Sequence, residues 1–534
     1  MSLFGGRAVR GFLENLAGIA LAALLFAASF PNLLFSRGLP FFAWIAFVPM
    51  FWVINRVALL PSVFWGALYG FGAYGLFNYW LSVFHPLAGL IVGGVYLVYF
   101  AFLFPLLKCA ALLFPKRGYL VQWIIWIGYE YLRTLGFLGY PYGIAGYSQW
   151  SVLPLIQIAD IFGVWGVSAL VVFPSALIAH LLRDWGDPIP ALRRESLPAL
   201  IWLGALACTL IYGFVSPLDY RDAPKTRLAL VQHNTDPWRG GIEEYRSNLR
   251  VLSRLSREAL AAEPKPDLVV WSETAFVPRI YWHITYRDDQ DYYRLVRELL
   301  DFLAEQEVPF VIGNDDGRRE LQPSGRWERV DYNAVLLFDK QEIRQIYRKL
   351  HLVPFTEHFP YEKQFPHIYQ ALLNADTHLW KRGTEATVFE SRGLRFSSPI
   401  CFEDSFGYLS RDFVRNGAEL IVNLTNVAWS GSLPAQMQHL SMAVFRAVEN
   451  RRSMARSTAS GQTCGIDPNG RVLAMAEPFT ETFLTVELPV ITQESLYTRW
   501  GDILGKIFAL LGIVVLLFGV LRNILGRLLN GRTQ

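Results

Sequence analysis

Hydrophobic and polar positions divide this chain into two regimes. Residues 1–216 and 503–521 carry long runs almost free of charge, whereas 217–500 alternate short apolar runs with polar stretches. A membrane span needs about 20 mostly apolar residues. About eight stretches meet that need, at 12–30, 40–56, 63–82, 89–114, 120–135, 160–182, 197–216 and 503–521. The fifth is short and runs into Glu130 and Arg133. The first follows Arg7 and Arg10, as the core of a secretory leader would. No small-residue cleavage site leads into polar sequence after it, so it is read as a retained span.

From Arg227 the runs shorten. Leu228–Val231, Leu268–Trp271, Val311–Ile312, Ala334–Phe338, Phe396–Ile400 and Leu420–Val422 are rich in Val, Ile and Leu, with a helix-like stretch at 242–262. Such runs predict an α/β domain whose strands are buried on both faces. Asp339-Lys340 and Asp467-Pro468-Asn469-Gly470 mark strand ends, and the second predicts a hairpin between Cys464–Ile466 and Arg471–Leu473. The expected organisation is a helical bundle over 1–216 with about seven helices, an α/β domain over 217–500, and a closing helix with its tail over 501–534.

Composition sharpens the class. Hydrophobic residues make up 53% and charged residues 18% of the 534, too apolar for an ordinary soluble protein. The net charge of +4 is small and no long basic run pairs with aromatics, which argues against a nucleic-acid partner. An even number of spans puts both ends on one side. The residues flanking that side include Arg7, Arg10, Arg56, Lys116, Arg117, Arg183, Arg193, Arg194, Arg522, Arg527 and Arg532, against Arg37 and Arg133 on the other. By the positive-inside rule the first side is cytoplasmic and 217–500 lies outside the cytoplasmic membrane.

Within the spans, Gly66 and Gly70, followed by Gly72 and Gly75, permit close helix approach. Glu130 and Arg133 near a span end read as snorkelling or paired groups. No charged relay or inverted repeat points to transport. The aromatic, glycine-rich loop from Gly139 to Trp150 reads as an interfacial aromatic belt, with a re-entrant, lipid-contacting loop as the alternative.

Four cysteines show no metal-binding spacing. Cys109 and Cys208 fall in apolar spans; Cys401 and Cys464 lie in the polar region, where a disulfide between them is open. Cys401 ends the run Ser398-Pro399-Ile400 and precedes Phe402, Glu403 and Asp404. Alone it fits a small core residue as well as a nucleophile. Glu273, after Val269-Val270-Trp271-Ser272, and Lys349, in Tyr347-Arg348-Lys349-Leu350-His351, also stand at strand ends or turns. Active sites of α/β sheets form beyond the carboxyl ends of strands. A thiol needs a base or a lowered pKa, a partly buried carboxylate can be that base, and a lysine can stabilise an oxyanion. Those roles complete an acyl-transfer site without metal or cofactor, although Glu273 and Lys349 fit a structural ion pair equally well.

Trp271-Ser272-Glu273-Thr274-Ala275-Phe276, Lys349-Leu350-His351-Leu352-Val353-Pro354-Phe355-Thr356-Glu357 and Pro399-Ile400-Cys401-Phe402-Glu403-Asp404 together resemble the nitrilase superfamily, in particular its bacterial integral-membrane branch, the apolipoprotein N-acyltransferases. The resemblance covers nearly the whole chain. It implies a helical transmembrane bundle plus a nitrilase-like αββα sandwich, with Glu273 as general base, Lys349 at the oxyanion and Cys401 as nucleophile. It further implies that Glu357 supports the lysine, that Glu403 is the acidic residue two after the nucleophile, and that Trp238 lies on the substrate side, where an ordinary half-buried aromatic is the alternative. The chemistry implied is ping-pong. Cys401 takes an acyl chain from the sn-1 ester of a phospholipid, typically phosphatidylethanolamine, and passes it to the α-amine of a diacylglyceryl-cysteine apolipoprotein. Such an enzyme is a monomer of the inner membrane with its catalytic domain on the periplasmic side and no cofactor. A membrane-tethered amidase or hydrolase, or a divergent paralogue with another acceptor, is the alternative. The loops Phe355–Phe365 and Trp429–Gln436 read as acyl entry or as packed surface. The pattern departs from the family at Phe402, where tyrosine is usual, and across Asn426–Gly431, which bears on substrate choice. In this reading Cys401 sits in the electropositive, partly exposed setting of a reactive thiol.

Overall fold

The computed structural model describes residues 2–84, 88–184, 188–236, 238–322, 325–374 and 377–530. Arg532, counted above among the cytoplasmic charges, lies outside them. The chain divides into two compact units. The first comprises Met1–Pro217, Ser432–Ser441 and Asp502–Gln534, the second Leu218–Gly431 and Met442–Gly501.

All eight apolar stretches of the first unit are helical: Ser2–Ser29, Pro40–Trp44 with Val48–Arg56, Leu59–Phe77, Ala88–Leu113, Gly118–Leu132, Ala159–Leu181, Ser196–Val215 and Ile503–Asn530. Five helices are long and apolar enough to cross a membrane among the described residues. Pro40–Arg56 is a shorter apolar segment, and Gly118–Leu132 has only 15 residues, so the count of eight is approximate. Gly66 and Gly70 do bring two helices together. A Cβ on either would stand 2.2 Å from the carbonyl oxygen of Phe100 or Tyr96, so Leu59–Phe77 packs backbone to backbone on Ala88–Leu113. Gly72 and Gly75 face open space. Pro174 has no N–H for the Leu170 carbonyl one turn earlier, and the Trp202 indole donates to that oxygen instead at 2.9 Å.

Two expectations for this unit are corrected. Glu130 and Arg133 do not snorkel; both are buried. Arg133 Nη1 donates to the Tyr96 hydroxyl (2.7 Å) and to the carbonyls of Tyr140 (2.8 Å) and Tyr142 (2.9 Å). Glu130 accepts from the Ala145 N–H at 2.9 Å. The loop from Tyr142 to Trp150 is likewise buried and is no surface belt. Its irregular backbone cannot satisfy itself and takes side-chain partners inside the unit.

The second unit is built on β1 (Lys225–Gln232), β2 (Leu268–Trp271), β3 (Phe310–Leu321), β4 (Trp327–Asp339), β5 (Glu342–Arg348), β6 (Val388–Ser391), β7 (Leu394–Ser397), β8 (Leu420–Thr425), β9 (Ser453–Thr458), β10 (Cys464–Ile466), β11 (Val472–Met475) and β12 (Thr482–Pro489). One sheet runs β12-β1-β2-β3-β4-β5 and the other β11-β10-β9-β8-β7-β6. Each holds a parallel trio, β1-β2-β3 and β7-β8-β9, edged by antiparallel strands. The Ser457 hydroxyl of β9 donates to the Val270 carbonyl of β2 at 3.2 Å, tying one sheet to the other. Helices Ile242–Ala261 and Gln290–Ala304 bury Leu252, Leu255, Leu295 and Leu299 with Val269, Trp271 and Ile312 in one core cluster. The β10–β11 hairpin forms where expected. Asp467 Oδ1 accepts from the N–H groups of Asn469 and Arg471, and Gly470 takes φ 84°.

Candidate active site

The candidate side chains stand just beyond the carboxyl ends of two parallel strands, β2 and β7, and of the antiparallel edge strand β5. Glu273 lies two residues beyond β2 and Lys349 immediately follows β5. After β7 the chain makes one more parallel bridge, Ile400 to Leu424, and Cys401 then opens a 3-10 turn, Cys401–Ser405. Cys401 sits at φ 49° and Thr274, next to Glu273, at φ 48°. Left-handed backbone at non-glycine residues costs about 1–3 kcal/mol and clusters at working sites. Gly313 lets the Glu273 segment lie against β3; a Cβ there would stand 2.3 Å from the Ser272 carbonyl oxygen and 2.7 Å from Glu273 Cα.

Lys349 is the centre of the constellation. Its side chain is 0% exposed, and Nζ donates to Glu357 Oε1 at 2.7 Å and to Glu273 Oε1 at 3.3 Å. Glu273 Oε1 also accepts from Asn333 Nδ2 (2.9 Å), and its Oε2 from the Asn426 N–H (2.9 Å). Glu357 Oε2 accepts from the Val353 N–H at 2.8 Å. Asn333 is a contact of Glu273 that motif reading did not pick out, and Asn426, noted there only as part of a departure from the family pattern, is a second. Asn333 did leave a signal, as a lone amide in the otherwise apolar stretch Tyr332–Phe338.

Burial opposes the charge of Lys349, yet the carboxylates of Glu357 and Glu273 with the Cys401 thiol offset it and hold the ammonium above the usual lysine range. Burial raises Glu357, with Lys349 pulling it back. The same forces act on Cys401. Burial first, and then the charge of Glu273, push the Cys401 thiol well above the usual cysteine range, while Lys349 draws it down. Cys401 is half-buried, in keeping with the partly exposed setting read from sequence, but the electropositive part of that reading is outweighed, since burial and Glu273 raise the thiol more than Lys349 lowers it. It calls for a base at the moment of attack. His351 cannot serve as that base. Burial, with Arg382 and Lys349 nearby, lowers it to about 3, and its Nδ1 lies 2.8 Å from the Tyr408 hydroxyl.

Glu403 fastens the Cys401 turn to the Lys349 loop. Its carboxylate accepts from the N–H groups of Ile400 (2.7 Å), Leu350 (2.6 Å) and His351 (2.9 Å) and from the Tyr347 hydroxyl (2.8 Å). Burial nonetheless pushes it up to about 7. A carboxyl raised in the folded state contributes stability that is intact below the ordinary carboxylate range and is lost as pH rises through about 7. Glu403→Gln is expected to flatten the stability profile between about pH 4.5 and 7, checked by thermal unfolding at each pH. Because its amide faces three N–H donors, the turn shifts and acyl transfer falls about 100-fold.

The remaining candidates fall differently. Phe402 is buried, its ring edge-on to Phe406 with centroids 5.0 Å apart. Trp238 is 63% exposed. Cys401 and Cys464 are both free thiols, and Cys464 is buried. In the Phe355–Phe365 loop, Phe359 is buried while Phe365 is exposed.

Two sheets with a thiol, a buried ammonium and two carboxylates at their strand ends define a carbon-nitrogen hydrolase domain. A carbon-nitrogen hydrolase family model matches residues 227–495, and an apolipoprotein N-acyltransferase N-terminal domain model matches 22–177. The chain is 45% identical to apolipoprotein N-acyltransferase 1 of Treponema denticola over 533 residues, covering 97% of this chain and 98% of that protein. It is 47% identical to apolipoprotein N-acyltransferase 1 of Treponema pallidum over 522 residues, with 95% of each covered. It is 32% identical to apolipoprotein N-acyltransferase of Geobacter metallireducens over 499 residues, covering 90% and 91%. The chain belongs to the apolipoprotein N-acyltransferase family.

Proposed function

We propose that this N-acyltransferase moves an acyl chain from a membrane phospholipid, through a thioester on Cys401, to the N-terminal amine of a diacylglyceryl-cysteine lipoprotein. In the first half-reaction Glu273 takes the thiol proton as Sγ attacks the sn-1 ester carbonyl. The negative charge gathering on the carbonyl oxygen faces Lys349. Collapse breaks the carbon–oxygen bond, and the leaving lysophospholipid oxygen recovers the proton from Glu273. In the second half-reaction the amine attacks the thioester carbonyl and Glu273 accepts the amine proton. The thiolate departs and is reprotonated, leaving an amide. The observation that carries the reading is the ammonium of Lys349, wholly buried between two carboxylates beside a thiol on left-handed backbone. Such a preorganised charge is worth most where water is excluded.

Glu357 holds the lysine and Glu403 the turn. Phosphatidylethanolamine as donor, Trp238 and Phe402 on the substrate side, and a monomeric state complete the proposal. The bias of basic flanking residues supports a periplasmic catalytic domain. The test is mass spectrometry of the purified protein after incubation with phospholipid. One acyl chain on Cys401, released by a diacylglyceryl peptide as an amide, is the expected result; a folded protein with no adduct overturns the first half-reaction. Phospholipid consumed without acylated peptide would assign the acceptor to water. Glu273→Gln is expected to bind phospholipid as the wild type does while thioester formation slows about 1,000-fold, read from the adduct time course.

A further inference from the structure

The helical unit carries a second feature that the acyl-transfer reading leaves unused. A groove of about 400 Å³ has Gly118–Leu132 as its floor and Ala88–Leu113 and Ile503–Asn530 as its walls. Phe102, Leu106 and Ile513 are among its apolar lining residues, and all three are exposed. Gly128 packs directly on Ala509, where a Cβ would stand 2.8 Å from the Ala509 Cα, whereas Gly512 leaves space, its nearest neighbour being 3.6 Å from a Cβ. From Ile125 to Arg133 it follows about 12 Å of helix.

One end of this apolar trough is polar in a single sense. Tyr129 and Arg133 both line it. Arg133 spends Nη1 on Tyr96, Tyr140 and Tyr142, but its Nε and Nη2 have no hydrogen-bond partner among the described residues, nor does the Tyr129 hydroxyl. Arg133 is 5% exposed and forms no ion pair among those residues. Its neighbour Glu130 spends Oε1 on the Ala145 N–H and the Trp126 indole. The Glu130 carboxylate supplies part of the balancing charge, and the rings of Tyr74, Tyr96 and Tyr129, 5.4–6.0 Å from the guanidinium carbon, add the softer compensation of π-faces, but Nε and Nη2 still lack an acceptor among the described residues. A buried donor without an acceptor is costly. Three such donors at the charged end of a hydrocarbon groove call for an anion bearing several acceptor oxygens and joined to a chain.

We propose that this groove binds a phospholipid, with an acyl chain along Ile125–Leu132 and the phosphodiester against Arg133 and Tyr129. A guanidinium pairs with phosphate oxygens in fork geometry, and basic pockets between spans are a recognised mode of headgroup binding. The site is a lipid-binding site of the helical unit, independent of the thioester reading because its readout is occupancy rather than turnover.

The test uses full-length protein in detergent, carrying Cys401→Ala so that no acyl chain is consumed. It is irradiated with a phosphatidylglycerol bearing a photoreactive acyl chain or with the matching diacylglycerol, which lacks the phosphate. Peptides containing Phe102–Leu106 and Ala509–Leu516 are expected to be labelled by the phospholipid probe about tenfold more than by the diacylglycerol, the worth of one charge-assisted hydrogen bond. Arg133→Gln brings phospholipid labelling down to the diacylglycerol level. Gly512→Leu, where a Cβ meets nothing nearer than 3.6 Å, fills the groove and removes labelling by both probes. It decides the matter should Arg133→Gln not fold. Equal labelling by the two probes, or labelling of these peptides unchanged by Gly512→Leu, overturns the proposal.

Discussion

Replacing Cys401 with alanine is expected to abolish acyl transfer, by on the order of 10⁴-fold or more, since loss of the nucleophile removes the covalent route altogether. The fold should survive. The turn that carries residue 401 is held by other groups, chiefly the Glu403 carboxylate and the buried Arg456–Asp404 pair at 3.2 Å. Cys401→Ser separates nucleophile from scaffold more finely. A hydroxyl in the same place can still be acylated slowly with Glu273 as base. The resulting oxyester has a poorer leaving group than a thiolate, so it accumulates where the thioester would turn over. The expected record is a persistent acyl adduct on residue 401 and little amide product, followed by mass spectrometry and peptide acylation in parallel. Full activity in the serine variant would remove Cys401 from the chemistry.

Much of this was legible beforehand, for physical reasons that differ from element to element. Strands β2 and β8 and the second half of β4, Ala334–Phe338, are buried on both faces, so they are mostly apolar and announce themselves as continuous runs. Strand β9, Ser453–Thr458, is equally buried yet carries Ser, Arg, Ser and Thr, and hydrophobic pattern missed it. Its polar side chains have partners inside the domain, such as Ser453 with the Pro489 carbonyl at 2.6 Å and Arg456 with Asp404. Edge strand β5 reads Glu-Ile-Arg-Gln-Ile-Tyr-Arg, too charged to stand out, though it is the strand that delivers Lys349. Motif alone named Glu273, Lys349 and Glu357, which the fold brings into one ionic cluster. Their energetics were not legible: sequence placed a cation beside a thiol but could not show that burial and Glu273 outweigh it, which follows only once Cys401, Glu273 and Lys349 share one enclosed space. Of the two readings of Glu130 and Arg133, snorkelling fails because both are buried, and sequence could not decide it, since a charged pair near a span end looks the same whether it turns to the interface or into the bundle.

Lys349 is where the structural and catalytic readings part, and Lys349→Met is expected to move both readouts. Removing one partner of a buried ionic cluster leaves Glu273 and Glu357 facing each other without a cation, at a cost of about 3–5 kcal/mol. The cost depends on pH in a definite sense. Without the ammonium, which draws Glu357 down, burial and the charge of Glu273 raise Glu357 further above its unfolded value, so stability is kept at low pH and lost as pH rises through the raised range. Thermal unfolding of the full chain at pH 5 and pH 8 should therefore show a variant close to wild type at the lower pH and well below it at the higher. Adding Glu357→Gln removes the second carboxylate and should recover most of that stability. If Lys349 serves only as a counter-ion, activity returns with it. If it stabilises the oxyanion, the double variant is stable and still about 1,000-fold slower in thioester formation, because the charge aimed at the reacting oxygen is gone. A stable, inactive double variant is the outcome expected from an ammonium held at 2.7 Å by Glu357 and 3.3 Å by Glu273 beside the Cys401 thiol.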